Sequence, residues 1–416
     1  MPSFSIPLSG LAASSEALNI ISNNLANMNT IGFKDQTANF KDLFYQNFGS
    51  DGAGDPIQVG AGSAVGSVSS NFTDGSLQNT GVSSNVALTG NGFFITQDPT
   101  GALDYTRAGN FTVNSAGQLV TTGGQLVMGY PAVNGVVNQA AGLSPLMVGQ
   151  GQSNPPVATT TMQQATNLDA SSTVGTSYST SMAVYDSLGE SHVLTFNYTM
   201  TAPNTWSYQV TLPAADTGGA GAPTVLANGT LNFDSSGNLT APAGPIAVNI
   251  AGLADGAANM SVAWSLADPT GNSLLKQVAS KSTTATTNQN GYVAGTLQSF
   301  NIMQDGTIQG KFSNGQTQAI GQLAIASFAN NQGLQLAGGN SYQATLSSGA
   351  AVVGVANSGG RGTLTGGSVE LSNVDISQEF TNLIIVQRAF QANSRVVTTF
   401  DSVSTQTVNL QASPGN

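Results

Sequence analysis

The apolar positions of this chain repeat with two different periods. Across residues 7–29 and 373–410 they recur at helical spacing, whereas the stretch between them reads as short strands punctuated by turns. In the first segment Leu8, Leu11, Ser15, Leu18, Ser22 and Leu25 follow at alternating steps of three and four, the seam of a coiled coil. Ala12, Ile21 and Ala26 widen that stripe. In the last segment Ile376, Phe380, Leu383, Gln387, Phe390, Ser394 and Val397 step by four and three, and Val396, Phe400, Val403, Thr407 and Leu410 form a second row. Asp375 or Ser377 can cap this helix, and Glu379 lies in its first turn, where the helix dipole favours an acid. Ser15, Ser22, Gln387 and Ser394 occupy seam positions that a self-sufficient coiled coil fills with Leu or Ile. Burying one such narrow stripe does not offset the entropy of ordering its backbone. The two ends are therefore expected to pair, and the apolar area left uncovered favours packing against further copies of the chain. The competing expectation is that both termini dock on their own globular part.

The middle alternates with period two. Leu194, Phe196 and Tyr198, then Trp206, Tyr208 and Val210, then Met260, Val262, Trp264 and Leu266 each predict a half-buried strand of an antiparallel sheet. Tetrads at 98–101, 114–117, 186–189, 234–237 and 268–271 begin with Asp or Asn and end with Gly, the composition of hairpin turns. Polar stretches at 149–156 and 280–290 contain no core-forming residues and read as linkers around a separate block. If the ends pair, the pieces flanking that block must also come together. The predicted fold is mainly β with α-helical termini that pair as a coiled coil and carry nested antiparallel β domains. Its parts are a terminal helical core (1–31 and 372–416), a connecting segment (32–70 and 361–371), a discontinuous inner β domain (71–148 and 288–360) and an inserted outer β domain (149–287). Glycine-dense stretches at 49–66 and 354–367 are expected to act as joints that let the inner domain tilt.

Composition narrows the function. The 416 residues include no Cys and a single His, His192, so a structural disulfide and a zinc site of the Cys/His type are both excluded. Charged residues make up only 7% of the chain, with 9 Lys+Arg against 20 Asp+Glu, and none of the cations falls between Ala108 and Leu275. Phosphate backbones and anionic membrane surfaces need clustered cations, so neither nucleic acid nor such a membrane is an expected partner. No window approaches the roughly 18 consecutive apolar residues of a membrane-spanning helix; the densest run, 383–386, is followed at once by Gln387 and Arg388. The first basic residue is Lys34 and the segment 8–25 is amphipathic, unlike a cleaved secretory signal. The uncharged Thr/Ser/Asn/Gly-rich middle nevertheless suits a protein that lives outside the cell. Export is expected to read an uncleaved terminus.

Candidate chemistry yields no enzyme site. His192 follows Asp186 and Glu190, but the spacing is that of a hairpin turn entering a strand rather than a catalytic triad. Gly60-Ala61-Gly62-Ser63-Ala64-Val65-Gly66 approximates a dinucleotide fingerprint without the strand and helix that must flank it. Loop acids such as Asp234 and Asp268 lack the dense ligand pattern of a calcium loop. No catalytic residue, cofactor or metal is expected.

The motifs bordering the helices carry more specificity. Ser22-Asn23-Asn24-Leu25-Ala26-Asn27-Met28-Asn29-Thr30-Ile31-Gly32-Phe33-Lys34 resembles the NNxANxxTxGFK signature of the bacterial flagellar rod and hook protein family. Glu370-Leu371-Ser372-Asn373-Val374-Asp375, followed by Gln387-Arg388-Ala389-Phe390-Gln391-Ala392-Asn393, is similar to that family's SNVD and QRxxxxN region, with Phe390 where Tyr is common. Segments 72–81, 90–95, 105–111 and 339–349 also resemble it, whereas Asn85-Val86-Ala87-Leu88 departs from a commoner acidic–hydrophobic version. The resemblance covers about 1–148 and 288–410 well and the block between them weakly. Length and that block point to the hook branch rather than the shorter rod proteins.

The resemblance implies that the terminal helices line the core of a helical homopolymer around a central export channel, with β domains facing outward. Its hook branch is a flexible universal joint between rod and filament. The implied partners are further copies of the chain, rod, hook-cap and hook–filament junction proteins, and the flagellar type III export apparatus. The residues expected to serve assembly are Leu8, Leu11, Leu18, Asn23, Asn24, Leu25, Asn27, Thr30, Gly32 and Phe33, with Asn373, Phe380, Leu383, Gln387, Arg388, Phe390, Asn393 and Val397. Phe4 and Leu8 fit the Phe-x-x-x-hydrophobic element of early flagellar export substrates. Two alternatives stay open: a distal rod protein with an unusual insertion, and a monomeric secreted β-rich adhesin with helical caps.

Overall fold

The computed structural model describes residues 5–50, 55–149 and 152–411. It divides into two compact units, one formed by 1–150, 299–310 and 317–416, the other by 151–298 and 311–316.

The first unit carries both helices, α1 (Ser5–Ala26) and α2 (Ile376–Gln411). Its β part is woven from segments on either side of the block. Thr317–Leu323 pairs with Leu126–Val133, which pairs with Phe93–Gln97, then Leu103–Thr106, Ser341–Gln343 and Gln335–Gly338, every step antiparallel. Phe93–Thr96 are buried on both faces of this strand, so it opens with three consecutive apolar residues rather than an alternating pattern. Phe94 enters a core with Val86, Leu88, Phe111, Leu323 and Leu364, while Phe93 and Ile95 enter another with Tyr105, Met128 and Tyr342. Late strands close early ones: Thr363–Gly366 pairs with Val86–Thr89, and Ser368–Glu370 with Leu77–Asn79.

The second unit packs two sheets around one core. Ser177–Tyr185, Ser191–Ala202, Thr205–Leu212, Thr224–Phe233 and Leu239–Ala241 form an antiparallel meander. The other sheet is mixed rather than purely antiparallel. Met260–Ser265 runs antiparallel to Ile246–Ile250 but parallel to Thr161–Asp169, which is also parallel to Leu275–Val278. The meander intervenes between Thr161–Asp169 and its parallel neighbours, the long crossover that parallel pairing requires. Trp206 and Trp264 are fully buried there, and Trp264 meets Phe196 edge-on at 5.0 Å.

All five tetrads are turns. In each the first side chain accepts two backbone amides, as Asp268 does from Thr270 (2.9 Å) and Asn272 (2.8 Å), and the glycine lies at positive φ.

Two stretches expected as linkers are strands instead. Thr283–Gln289 pairs antiparallel with Thr161–Asp169, and its mostly exposed threonines are held by that backbone ladder rather than by apolar side chains of their own. The segment expected as a flexible joint contains Gln46–Ser50, paired with Pro56–Val59, and Ser63–Ser70, paired with Gln36–Asp42. A Cβ on Gly62 would lie 2.0 Å from Ser9 Oγ, and one on Gly66 3.2 Å from Lys41. Glycine at 62 thus permits the close approach of α1 instead of supplying a hinge.

Candidate functional site

The two helices pack antiparallel. Glu379 in the first turn of α2 lies beside Asn24 near the end of α1, while a Cβ on Gly10 would stand 2.7 Å from Asn393 Nδ2. Asp375 caps α2, its Oδ1 accepting from the amides of Ser377 (2.8 Å) and Gln378 (3.2 Å). α1 buries Ala13, Ser14, Ala17, Ile20, Ile21 and Asn24. On α2 the covered or half-covered positions are Glu379, Asn382, Leu383, Val386, Asn393, Ser394, Val397 and Phe400. In this contact small side chains of α1 pack against larger ones of α2; the seams expected from sequence lie about one position away on α1 and overlap the contact on α2 only in part. Leu8 is 60% exposed, and Leu11, Leu18 and Leu25 are only half-buried. Ile376, Phe380 and Phe390 are 45%, 48% and 37% exposed, Gln387 and Arg388 are exposed, and only Leu383, Ser394 and Val397 of the expected α2 row are half-buried. The reason is geometric: Gly10, Ala13 and Ala17 let the backbones approach more closely than a leucine row allows.

α2 also outreaches its partner. Its 36 residues span about 54 Å against about 33 Å for the 22 residues of α1. Side chains 401–409 are all exposed. An apolar crevice of about 210 Å³ opens between the helices and the strand Gln36–Asp42, lined by Ile20, Ile21, Phe40, Ile385 and Val386.

The bordering motifs form a clasp. Asn24 donates from Nδ2 to Asp35 Oδ1 (2.6 Å) and to the Gln36 carbonyl (2.7 Å), and its Oδ1 accepts from the Gln36 amide (3.1 Å). Asn27 donates to the Asn23 carbonyl (2.9 Å) and its Oδ1 accepts from Thr30 Oγ1 (3.0 Å), stapling the end of α1. Asn373 bridges the ends of the chain: its Oδ1 accepts from the Asp35 amide (2.8 Å), and its Nδ2 donates to the Asn71 carbonyl (2.8 Å). The Phe33 carbonyl accepts from the Asn373 amide (3.4 Å), and the Gly32 amide donates to the Glu370 carbonyl (2.8 Å). Gly32 sits at φ +68, and a Cβ there would meet the Ala108 nitrogen at 2.7 Å.

Beneath the clasp lies a charge cluster absent from the residues expected to serve assembly. Lys34 Nζ stands 2.6 Å from Glu370 Oε1, both side chains fully buried, and donates to the Thr73 carbonyl at 2.7 Å. Arg107 Nη1 lies 3.6 Å from Glu370 Oε2 and 3.4 Å from Asp74 Oδ1, while Nη2 donates to the Gly90 carbonyl (2.6 Å). Its guanidinium also stands over the Phe93 ring at 5.4 Å. Burial pulls the Lys34 ammonium down, and the hydrogen bond and charge of Glu370 oppose it. A signal existed: each of the four lies within a motif segment singled out above, in a chain with few charges to place.

Two further acids face each other across the helix junction. Burial pushes the Glu379 carboxyl up and the charge of Asp35 adds to this, against hydrogen bonds from Asn24 and Asn382. Burial likewise raises Asp35, against the Gln36 amide and Asn24. Phe4 lies outside the described residues. The arrangement offers attachment surfaces rather than a reaction centre.

Four family models match successive parts of the chain: Flagella basal body rod protein (6–34), Flagellar hook protein FlgE/F/G D1 domain (87–163), Flagellar basal body protein FlaE D2 domain (150–292) and Flagellar basal body rod FlgEFG protein C-terminal (365–410). They define a class, the axial structural proteins of the flagellar basal body, which are not enzymes. Within it, the flagellar hook protein FlgE of Escherichia coli K12 is 37% identical over 98% of this chain and 100% of its own length. That of Treponema pallidum is 33% identical over 97% of this chain and 98% of its own. The chain belongs to the flagellar hook protein FlgE family. The crystal structure of Helicobacter pylori flagellar hook protein FlgE2 shares the fold, with a TM-score of 0.50 at 16% identity over 69% of this chain and 98% of that one.

Proposed function

We propose that the chain is a structural subunit of the bacterial flagellar hook, polymerising through its terminal helices into a flexible helical tube around a central channel. The observation that carries this reading is the uncovered apolar surface beside the helix contact: Leu8 (60% exposed), Phe380 (48%) and Ile385 (60%) project from helices whose other faces already meet. Such rows favour burial against other copies. Because α1 and α2 offer different surfaces, the contacts are head-to-tail and do not close, which builds a helical tube. The reading extends to rod, hook-cap and hook–filament junction proteins as neighbours and to type III export reading an N-terminal element that includes Phe4 and Leu8; membership of the family supports this extension. Few charges on the β surfaces leave subunits free to slide and re-pair as the tube bends.

Sedimentation and electron microscopy of the purified chain test the proposal. At high concentration it is expected to form tubes, whereas Phe380→Glu combined with Phe390→Glu is expected to stay monomeric with unchanged melting of both β units. Tubes formed equally well by the variant, or a parent chain that never assembles, would refute the proposal.

A further inference from the structure

His192, the single histidine of the chain, is not part of the helical clasp and lies in the second unit. It begins the long strand after the 186–189 turn, 4% exposed. Its Nε2 stands 3.2 Å from Asp186 Oδ2 and 3.9 Å from Asp255 Oδ2, and its Nδ1 3.1 Å from Asp216 Oδ2. The potential ligand atoms of Asp186, His192 and Asp255 all lie within 4.8 Å of one another.

Their placement is built by the fold. Asp186 Oδ1 is engaged by the Leu188 (2.8 Å) and Glu190 (2.9 Å) amides, which leaves Oδ2 turned to the imidazole. The loop bearing Asp255 is tied to the Asp186 turn by the Ala258 amide donating to Ser187 Oγ (3.0 Å), and to the Asp216 segment by the Ala254 amide donating to the Asp216 carbonyl (2.9 Å).

From these contacts we infer that Asp186, His192 and Asp255 form a binding site for a divalent transition-metal ion of the zinc class, with Asp216 orienting the imidazole. A tetrahedral ion with bonds of about 2.0–2.2 Å separates its ligand atoms by about 3.3–3.6 Å, and the 3.2 and 3.9 Å separations bracket that span. Asp216 on Nδ1 supplies the carboxylate–histidine arrangement that fixes the tautomer and aims the Nε2 lone pair at an ion. One imidazole nitrogen and two carboxylate oxygens, with a fourth position for water, suit zinc, cobalt or manganese rather than magnesium, which demands an octahedral oxygen shell. Charge argues the same way. Three carboxylates surround this imidazole, and among the described residues no Lys or Arg forms an ion pair with any of them. Asp255 is 27% exposed at its side chain, which gives an ion a way in. The ion would pin two turns and a loop of the second unit without contributing a reaction.

Titration of zinc chloride into the EDTA-stripped full chain, read by calorimetry and by the imidazole carbon–proton resonance, tests this directly, because a single histidine makes that resonance unambiguous. One equivalent is expected to bind and to move the resonance. Asp216→Asn is expected to weaken binding about 10–100-fold. Asp255→Asn, a change on an exposed loop, should weaken it at least as much while melting like the parent in EDTA. Stoichiometric binding with an unmoved histidine resonance, binding indifferent to Asp255→Asn, or an imidazolium locked by its carboxylates with no zinc uptake would each overturn the assignment.

Discussion

Lys34, Glu370, Arg107 and Asp74 show what a chain of 7% charged residues does with charge it keeps. The pair Lys34–Glu370 is fully buried, and removing one partner of such a pair costs about 3–5 kcal/mol because the remaining ion stays desolvated. Lys34→Met is therefore expected to destabilise the first unit by about 3 kcal/mol, the lower end, since Arg107 still stands 3.6 Å from Glu370 Oε2. Both tryptophans, Trp206 and Trp264, belong to the second unit, so their fluorescence does not report this loss. Denaturant-dependent hydrogen exchange across residues 86–130 does; unchanged exchange there would show that the pair contributes little. At this scale the sequence was informative in an indirect way. Asn24, Asn27, Gly32 and Asn373 stood out by motif, and each makes a specific clasp contact. For the buried ions beside them the motifs mark position but not burial, because a lysine or arginine in a loop motif is ordinarily solvated.

At the scale of elements, period was legible and phase was not. Both helices form where the apolar spacing places them, but the intrachain contact on α2 runs through Glu379, Leu383, Val386, Asn393 and Val397, which shares Leu383 and Val397 with the expected row and otherwise lies about one position from it. Glycine and alanine, which allow α1 its close approach, add little to a hydrophobic pattern. The turn tetrads were fully readable because their mechanism is local. Thr283–Gln289 was not, since its order comes from Thr161–Asp169 more than a hundred residues away; there Thr166 and Thr284 hydroxyls meet at 2.9 Å. The helix junction also carries a pH dependence. Asp35 and Glu379 have folded-state pKa values above their unfolded ones. The folded state thus holds their protons more tightly, and their stabilising contribution is complete below the unfolded carboxyl range of about 4 and lost as pH rises through the folded values. Glu379→Gln is expected to increase amide protection in α1 at about pH 7 and to flatten its loss between about pH 4 and 7. Protection factors that fall in the variant would contradict this.

At the scale of the molecule, the chain leaves and re-enters the first unit around an inserted second one. The strands of segments 77–133 and 317–370 interleave, so the sheet cannot form until both sides of the insertion are present. From sequence, nesting is the expectation that follows if the two ends pair, since the pieces flanking the block must then come together. The central claim is that the small-residue face of α1, packed on the Leu383, Val386 and Val397 row of α2, closes the chain on itself while the larger apolar rows beside that contact join subunits. A helical reconstruction by electron cryomicroscopy of tubes grown from the purified chain measures this directly. Leu8, Leu11, Phe380 and Phe390 are predicted to be buried against helices of neighbouring subunits, with the Asn24–Glu379 and Gly10–Asn393 contacts kept within each chain. Tubes in which those four side chains remain in solvent, or in which the α1 and α2 contact faces separate to pair between subunits, would contradict the account.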